Sequence, residues 1–138
     1  LDGKPIPVYN RGEMVRDFTY IDDIVEGVIR AIDRSPVLGF DNENNHNPAV
    51  RAAPYQIYNI GNGHPVPLMR YIQALENALG KKAQLELLPM QPGDVRATEA
   101  DVSRLVSDLG YRPQIDVETG VARFVEWYCD YYGVQLSD

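Results

Sequence analysis

Val15-Arg16-Asp17-Phe18-Thr19-Tyr20-Ile21-Asp22-Asp23 opens a run in which Ile24, Val25, Val28, Ile29 and Ile32 recur at the spacing of a helix with one buried apolar face. Asp22 and Asp23 fall where that helix begins and suit its positive N-terminal end. Ser35-Pro36 stops it. Upstream, Lys4 to Tyr9 is held extended by Pro5 and Pro7, which lack amide donors, so it suits an edge strand, and Asn10 to Gly12 reads as a turn.

Downstream, residues 35–54 include Asn42, Glu43, Asn44, Asn45, His46 and Asn47, with neither period nor apolar mass, and read as a long mobile loop. Tyr55 to Ile60 alternates and is aromatic-rich, as a strand should be, and runs into the turn Gly61-Asn62-Gly63. Leu68, Met69, Ile72, Leu75 and Leu79 mark a second amphipathic helix with Gly80 at its left-handed cap. A strand is expected at Ala83 to Leu88 and a loop at Pro89 to Asp94. A short helix is expected from Asp101 to Leu109, closed by Gly110. A longer one runs from Val117 to Tyr132 with a stripe of Val121, Phe124, Val125, Tyr128 and Tyr132. Strands at 4–9, 55–60 and 83–88 with about four helices make a small mixed α+β unit, one domain over 1–138.

Composition narrows the function classes. The net charge of -7 disfavours polyanion binding through bulk charge, so any phosphate site must be local. Cys129 is the single cysteine, which excludes an intrachain disulfide and fits a reducing, cytoplasmic compartment. No stretch approaches the roughly 20 apolar residues of a membrane span. His46 and His64 lie in different loops, so a metal site is not expected, and each reads more simply as an exposed loop side chain. Cys129 reads as a small apolar side chain, with no basic neighbour in sequence to activate it. A dinucleotide site needs a glycine-rich turn at a helix N-terminus, and the nearest candidate, Gly61-Asn62-Gly63, is followed by His64-Pro65 with no third glycine.

Three segments in fixed order carry a resemblance. Arg16-Asp17-Phe18-Thr19-Tyr20-Ile21-Asp22-Asp23, then Tyr58-Asn59-Ile60-Gly61-Asn62-Gly63, then Gln91-Pro92-Gly93-Asp94-Val95 with Thr98, Ala100 and Asp101, resemble the extended short-chain dehydrogenase/reductases that act on nucleotide sugars. Gly110-Tyr111 and Pro113 continue the likeness, which runs from about Gly3 to Gly133 apart from the Asn-rich loop. Gln91, where many relatives carry arginine, is similar to the glucuronate 4-epimerase branch.

The resemblance implies an α/β parent of Rossmann type in which this chain is the C-terminal substrate-binding part. In such enzymes bound NAD takes a hydride from C4 of the sugar, an upstream tyrosine acting with a lysine removes the hydroxyl proton, and the 4-keto sugar rotates before the hydride returns. No Tyr-x-x-x-Lys occurs in this sequence, so neither catalytic residues nor an NAD site are expected within it. The abrupt opening on Leu1-Asp2-Gly3-Lys4-Pro5 adds the expectation of a fragment whose partner is an NAD-binding half, with a homodimer as a further expectation.

For the substrate, the resemblance implies a UDP-sugar held by Arg16, Tyr9, Asp94, Gln91 and Val66. Arg16 offers a planar fork of donors for two phosphate oxygens, against the simpler account of a structural salt bridge with Asp17 or the following carboxylates. Tyr9 would cover the uracil or its ribose, or else simply pack in its strand. Asp94 would accept from ribose hydroxyls, or else be a turn aspartate. Gln91 supplies no charge, which puts the anion on Arg16, with Arg96 as a candidate second cation. A dehydratase, decarboxylase or reductase of the same family, or a non-catalytic nucleotide-sugar-binding or interaction module, are the alternatives.

Overall fold

The computed structural model describes residues 1, 3–36 and 56–136. Over these the chain runs β1 (Ile6–Val8), a 3-10 turn (Tyr9–Gly12), β2 (Val15–Arg16), α1 (Ile21–Asp33), β3 (Val66–Pro67), α2 (Leu68–Leu79), β4 (Leu85–Leu87), α3 (Ser103–Leu109) and α4 (Val117–Tyr132). Four helices and two short sheets among the described residues are the mixed unit that the sequence implies. The loop expected at 35–54 lies outside the described residues apart from Ser35 and Pro36, and Tyr55, Ser137 and Asp138 lie outside them too. No helix among the described residues is long and apolar enough to cross a membrane.

β1 pairs in parallel with β4, Ile6 against Leu85 and Val8 against Leu87. The Ile6 N–H donates to the Gln84 carbonyl at 2.9 Å and the Leu88 N–H to Val8 O at 2.9 Å. Because alternate residues of a strand bond to opposite sides, Pro7 turns its missing donor away from β4, which is how this edge strand tolerates it. The turn after β1 carries Asn10 and Arg11 at φ of 48° and 51°, a left-handed pair held by an Asn10 Nδ2 donation to Glu13 O at 2.7 Å. β2 and β3 then pair antiparallel, Val15 against Pro67 and Arg16 against Val66.

Two apolar clusters hold the helices. Ala74 of α2 and Val117, Val121 and Val125 of α4 form one, flanked by Phe18, Tyr71, Leu75, Leu79 and Cys129. Phe18 stacks on Tyr71 with ring centroids 4.3 Å apart. Burying a valine of this kind contributes roughly 1.5–3 kcal/mol, so α2 and α4 are held mainly by these few side chains. Val102, Leu105 and Leu109 form the second cluster, with Ala31, Tyr58, Ile60 and Tyr111 around it. Gly80 and Gly110 close α2 and α3 in the left-handed region, where a Cβ would be strained. Asp116 caps α4 by accepting from the Thr119 N–H at 2.8 Å.

Three expectations are corrected. Residues 56–60 form no strand, although their burial alternates: Tyr58 and Ile60 turn toward the second cluster and Ile57 is 61% exposed. Alternation reports side-chain facing only, and a ladder also needs a neighbouring backbone, which no described residue supplies to this stretch. The apolar stripe of α1 is likewise uncovered, with Val25, Val28, Ile29 and Ile32 all exposed. The buried face of α1 is Asp23 and Gly27, where Gly27 lets Ile60 approach; a Cβ there would stand 3.1 Å from Ile60 Cδ1. On α4, Val121 and Val125 are buried as expected, whereas Phe124 and Tyr132 face outward.

Candidate functional site

The residues expected to hold a nucleotide lie on the β2–β3 pair, in the 3-10 turn after β1 and in the loop that follows β4. Gln91-Pro92-Gly93-Asp94 is a turn closed by the Asp94 N–H on Gln91 O at 3.2 Å, with Gly93 at φ of 84°. Proline at the second place and a positive-φ glycine at the third are what a type II turn requires. The segment after it runs beside β2: the Val15 N–H donates to Arg96 O at 2.9 Å and the Thr98 N–H to Val15 O at 3.2 Å. β2 is thus held between β3 on one side and residues 96–98 on the other.

Arg16 spans this junction. Its NH2 donates to Asp94 Oδ1 at 2.9 Å, and its NH1 donates to Val15 O at 2.9 Å and Arg96 O at 3.2 Å. The two charged side chains are 22% and 29% exposed, so the pair is partly withdrawn from water and less screened than a surface pair. Asp94 Oδ1 also accepts from the Val95 N–H at 2.8 Å. The salt bridge weighed as the alternative role for Arg16 therefore exists, but its partner is the other expected ligand residue, Asp94, and not Asp17. Among the described residues the Nε–H of Arg16 has no hydrogen bond, whereas both terminal nitrogens of the guanidinium are engaged.

Val66 sits directly across from Arg16 in the β2–β3 pair. Tyr9 is half-buried and follows β1 at the end where Val8 faces Leu87 and Leu88, so it stands beside the start of the loop that carries Gln91 and Asp94. Gln91 itself is exposed. Arg96 takes part through its carbonyl, and its side chain is exposed.

Two polar anchors, the half-buried Asp17 and the buried Asn62, were not singled out from sequence. Asp17 Oδ2 accepts from the Gly63 N–H at 3.0 Å and the Ala100 N–H at 2.9 Å, while its Oδ1 is buried with no partner. Asn62 donates to Phe18 O at 3.3 Å and Ile115 O at 3.2 Å. Their signal in sequence was adjacency to the Arg16 and Gly61 motifs, which marks a crossing of segments but not its bonding. Asp23 is a third anchor, tied to Tyr111, Gln114 and Ile115.

The Gly61–Gly63 turn does not fit a dinucleotide. The Gly63 N–H is already taken by Asp17, and a Cβ on Gly61 would overlap Ala100 Cβ, so this amide and the space beside Gly61 are not open to a pyrophosphate. His64 Nδ1 lies 3.0 Å from Asn62 O. His46 lies outside the described residues, and among those described no group of three His, Cys, Asp or Glu side chains could hold a metal ion. Cys129 is half-buried against the α2–α4 cluster, as expected.

The chain is similar to known proteins along most of its length. The model of the NAD dependent epimerase/dehydratase family matches residues 1–61. An uncharacterized 37.6 kDa protein of Escherichia coli O111:H- is 52% identical over 135 residues, covering 97% of this chain and 40% of that protein. A probable UDP-glucuronate 4-epimerase of Rhizobium meliloti (strain 1021) is 43% identical over 137 residues, covering 95% and 39%. Among solved structures, a mutant UDP-glucuronic acid 4-epimerase from Bacillus cereus in complex with UDP-4-deoxy-4-fluoro-glucuronic acid and NAD is similar at a TM-score of 0.73 and 27% identity, over 94% of this chain and 36% of that one. The chain spans about 40% of the length of these curated relatives.

Proposed function

We infer that this chain belongs to the NAD-dependent epimerase/dehydratase family and is the nucleotide-sugar-binding domain of a UDP-glucuronate 4-epimerase. In this reading the whole protein interconverts UDP-glucuronate and UDP-galacturonate through a 4-keto sugar, in the cytoplasm, and residues 1–138 contribute substrate binding. The observation that carries it is the meeting of Arg16 and Asp94, 78 residues apart in sequence, at 2.9 Å. Two residues that the same resemblance implies as nucleotide ligands share one place, with Val66 opposite Arg16 and Gln91 at the start of the same turn.

Arg16 binds the diphosphate through its Nε–H, Asp94 accepts from a ribose hydroxyl through Oδ2, and Tyr9 covers the base. The similarity to glucuronate 4-epimerases favours the uronate among the sugars. NAD supplies hydride chemistry at the sugar's C4, and since the Gly61–Gly63 turn does not fit it, its site is assigned to a separate NAD-binding half. The exposed stripe of Val25, Val28, Ile29 and Ile32 on α1 and the unladdered 56–60 stretch support docking of that half, since contiguous exposed apolar surface marks an interface. In its absence the same stripe pairs two copies of this chain.

Calorimetric titration with UDP and UDP-glucuronic acid tests the assignment. Heat of binding should appear for both ligands and fall at least about tenfold in affinity for Arg16→Ala, the scale of a charge-assisted bond. A folded wild-type chain that binds neither ligand would remove the nucleotide assignment.

A further inference from the structure

We propose that Asp17 is a positioning residue for nucleotide binding, acting through the segment 94–100 on Arg16; the proposal rests on the nucleotide reading above. Arg16 is held by three oxygen acceptors and the Met14 Sδ, and two of the oxygens, Arg96 O and Asp94 Oδ1, belong to the 94–96 stretch. Whatever fixes that stretch fixes the direction of the guanidinium, and a ligand site loses affinity when its supporting contacts are loose. Beyond residue 98 the segment is anchored by Asp17: the backbone N–H of Asp17 donates to Thr98 Oγ1 at 3.3 Å, and its Oδ2 accepts from the Ala100 N–H at 2.9 Å. The same oxygen accepts from the Gly63 N–H at 3.0 Å, so one atom joins the segment to the Gly61–Gly63 turn. The contact is close, because a Cβ on Gly61 would lie 3.0 Å from that Oδ2.

The unused oxygen separates geometry from charge. Asp17 Oδ1 is buried and accepts nothing, and each such atom in a folded protein calls for an explanation beyond stability. It also means that an amide NH2 placed there would meet no opposing N–H. Asp17→Asn therefore keeps the acceptor that serves Gly63 and Ala100, whereas Asp17→Ala removes it and frees residues 98–100.

Titration of the chain with UDP and with inorganic pyrophosphate, for the wild type, Asp17→Ala, Asp17→Asn and Thr98→Val, tests this, with circular dichroism confirming that each is folded. Asp17→Ala should weaken both ligands by the same factor, about tenfold, since the phosphate clamp is what they share and two backbone donors lose their acceptor. Asp17→Asn should recover most of the affinity. Thr98→Val, at an exposed position that leaves the carboxylate intact, should weaken both about threefold, and it carries the test alone if Asp17→Ala does not fold. Wild-type affinity in folded Asp17→Ala or in Thr98→Val, or an Asp17→Asn as weak as Asp17→Ala, overturns the positioning role and leaves the nucleotide site standing. A wild type that binds neither ligand takes down both.

Discussion

Replacing Asp23 with alanine should be among the most damaging single changes outside the apolar clusters. The side chain is 5% exposed and accepts from the Tyr111 hydroxyl at 2.6 Å, the Ile115 N–H at 3.0 Å and, more weakly, the Gln114 N–H at 3.3 Å. Charge-assisted bonds contribute about 1.5–3 kcal/mol each, and the Tyr111 and Ile115 donors left behind are half-buried, so the loss should be about 3–5 kcal/mol once the long Gln114 contact is discounted. That is a large share of the roughly 5–15 kcal/mol by which a domain is stable, and it should lower the unfolding temperature by roughly 10–20 °C. Tyr111→Phe removes one donor and leaves two, so it should lose only about 1–2 kcal/mol.

The alkaline limb gives a second reading of the same contact. Burial first, and then the hydrogen bond and charge of Asp23, push the Tyr111 hydroxyl well above its ordinary value of 10.0. A pKa raised by folding means that the fold favours the neutral hydroxyl. Its stabilising effect is complete below pH 10 and declines as pH rises from 10 toward the folded-state value. Urea unfolding followed by far-UV circular dichroism, at neutral pH and above pH 10, measures both effects. Wild type should lose stability above pH 10 and Tyr111→Phe should lose less, the remainder coming from Tyr58, which burial and Asp108 also raise. An Asp23→Ala change below about 1 kcal/mol, or one no larger than that of Tyr111→Phe, would refute the reasoning.

Two further outcomes follow from packing. Gly61→Ala should destabilise by about 1–3 kcal/mol, because its Cβ overlaps Ala100 Cβ, and Ala100→Gly in the same chain should recover part of that loss in thermal unfolding. The double change Val25→Lys with Ile29→Lys, at residues 46% and 47% exposed, should shift the stability of this chain by no more than about 0.5 kcal/mol. It should at the same time abolish concentration-dependent association in sedimentation velocity; unchanged association would mean that α1 is not the surface used.

What could be read from residues alone was whatever local chemistry decides. α2 begins at Leu68 and ends at Gly80, as spacing and the cap residue imply, and the Gln91–Asp94 turn follows from proline and glycine in the right places. The meeting of Arg16 with Asp94 was legible only as a shared resemblance, since no local rule joins residues 78 apart. What failed was the inference from pattern to environment. An apolar stripe says that a face prefers to be covered, and α1 shows that the covering need not come from the described residues of the same chain. With the carboxylates the pattern told only part: Asp23 stands in the first turn of α1, as its helix-dipole reading has it, and is also a buried acceptor for a loop some 90 residues away.

These carboxylates also explain how so small an apolar core holds a defined site. The α2–α4 cluster and the α3 cluster are separate, and the segments between them are joined by polar contacts from Asp17, Asn62 and Asp23. Apolar packing is tolerant of small displacements, whereas a buried carboxylate is favourable only when its donors are in place. The seam therefore fixes relative positions more tightly than either cluster does, and Arg16 lies one residue from it. A cavity in the α2–α4 cluster, such as Val121→Ala, should lower stability while leaving the direction of Arg16 intact. A lost acceptor in the seam acts on both, because the same bonds that join the clusters carry the segment on which Asp94 and the Arg96 carbonyl stand.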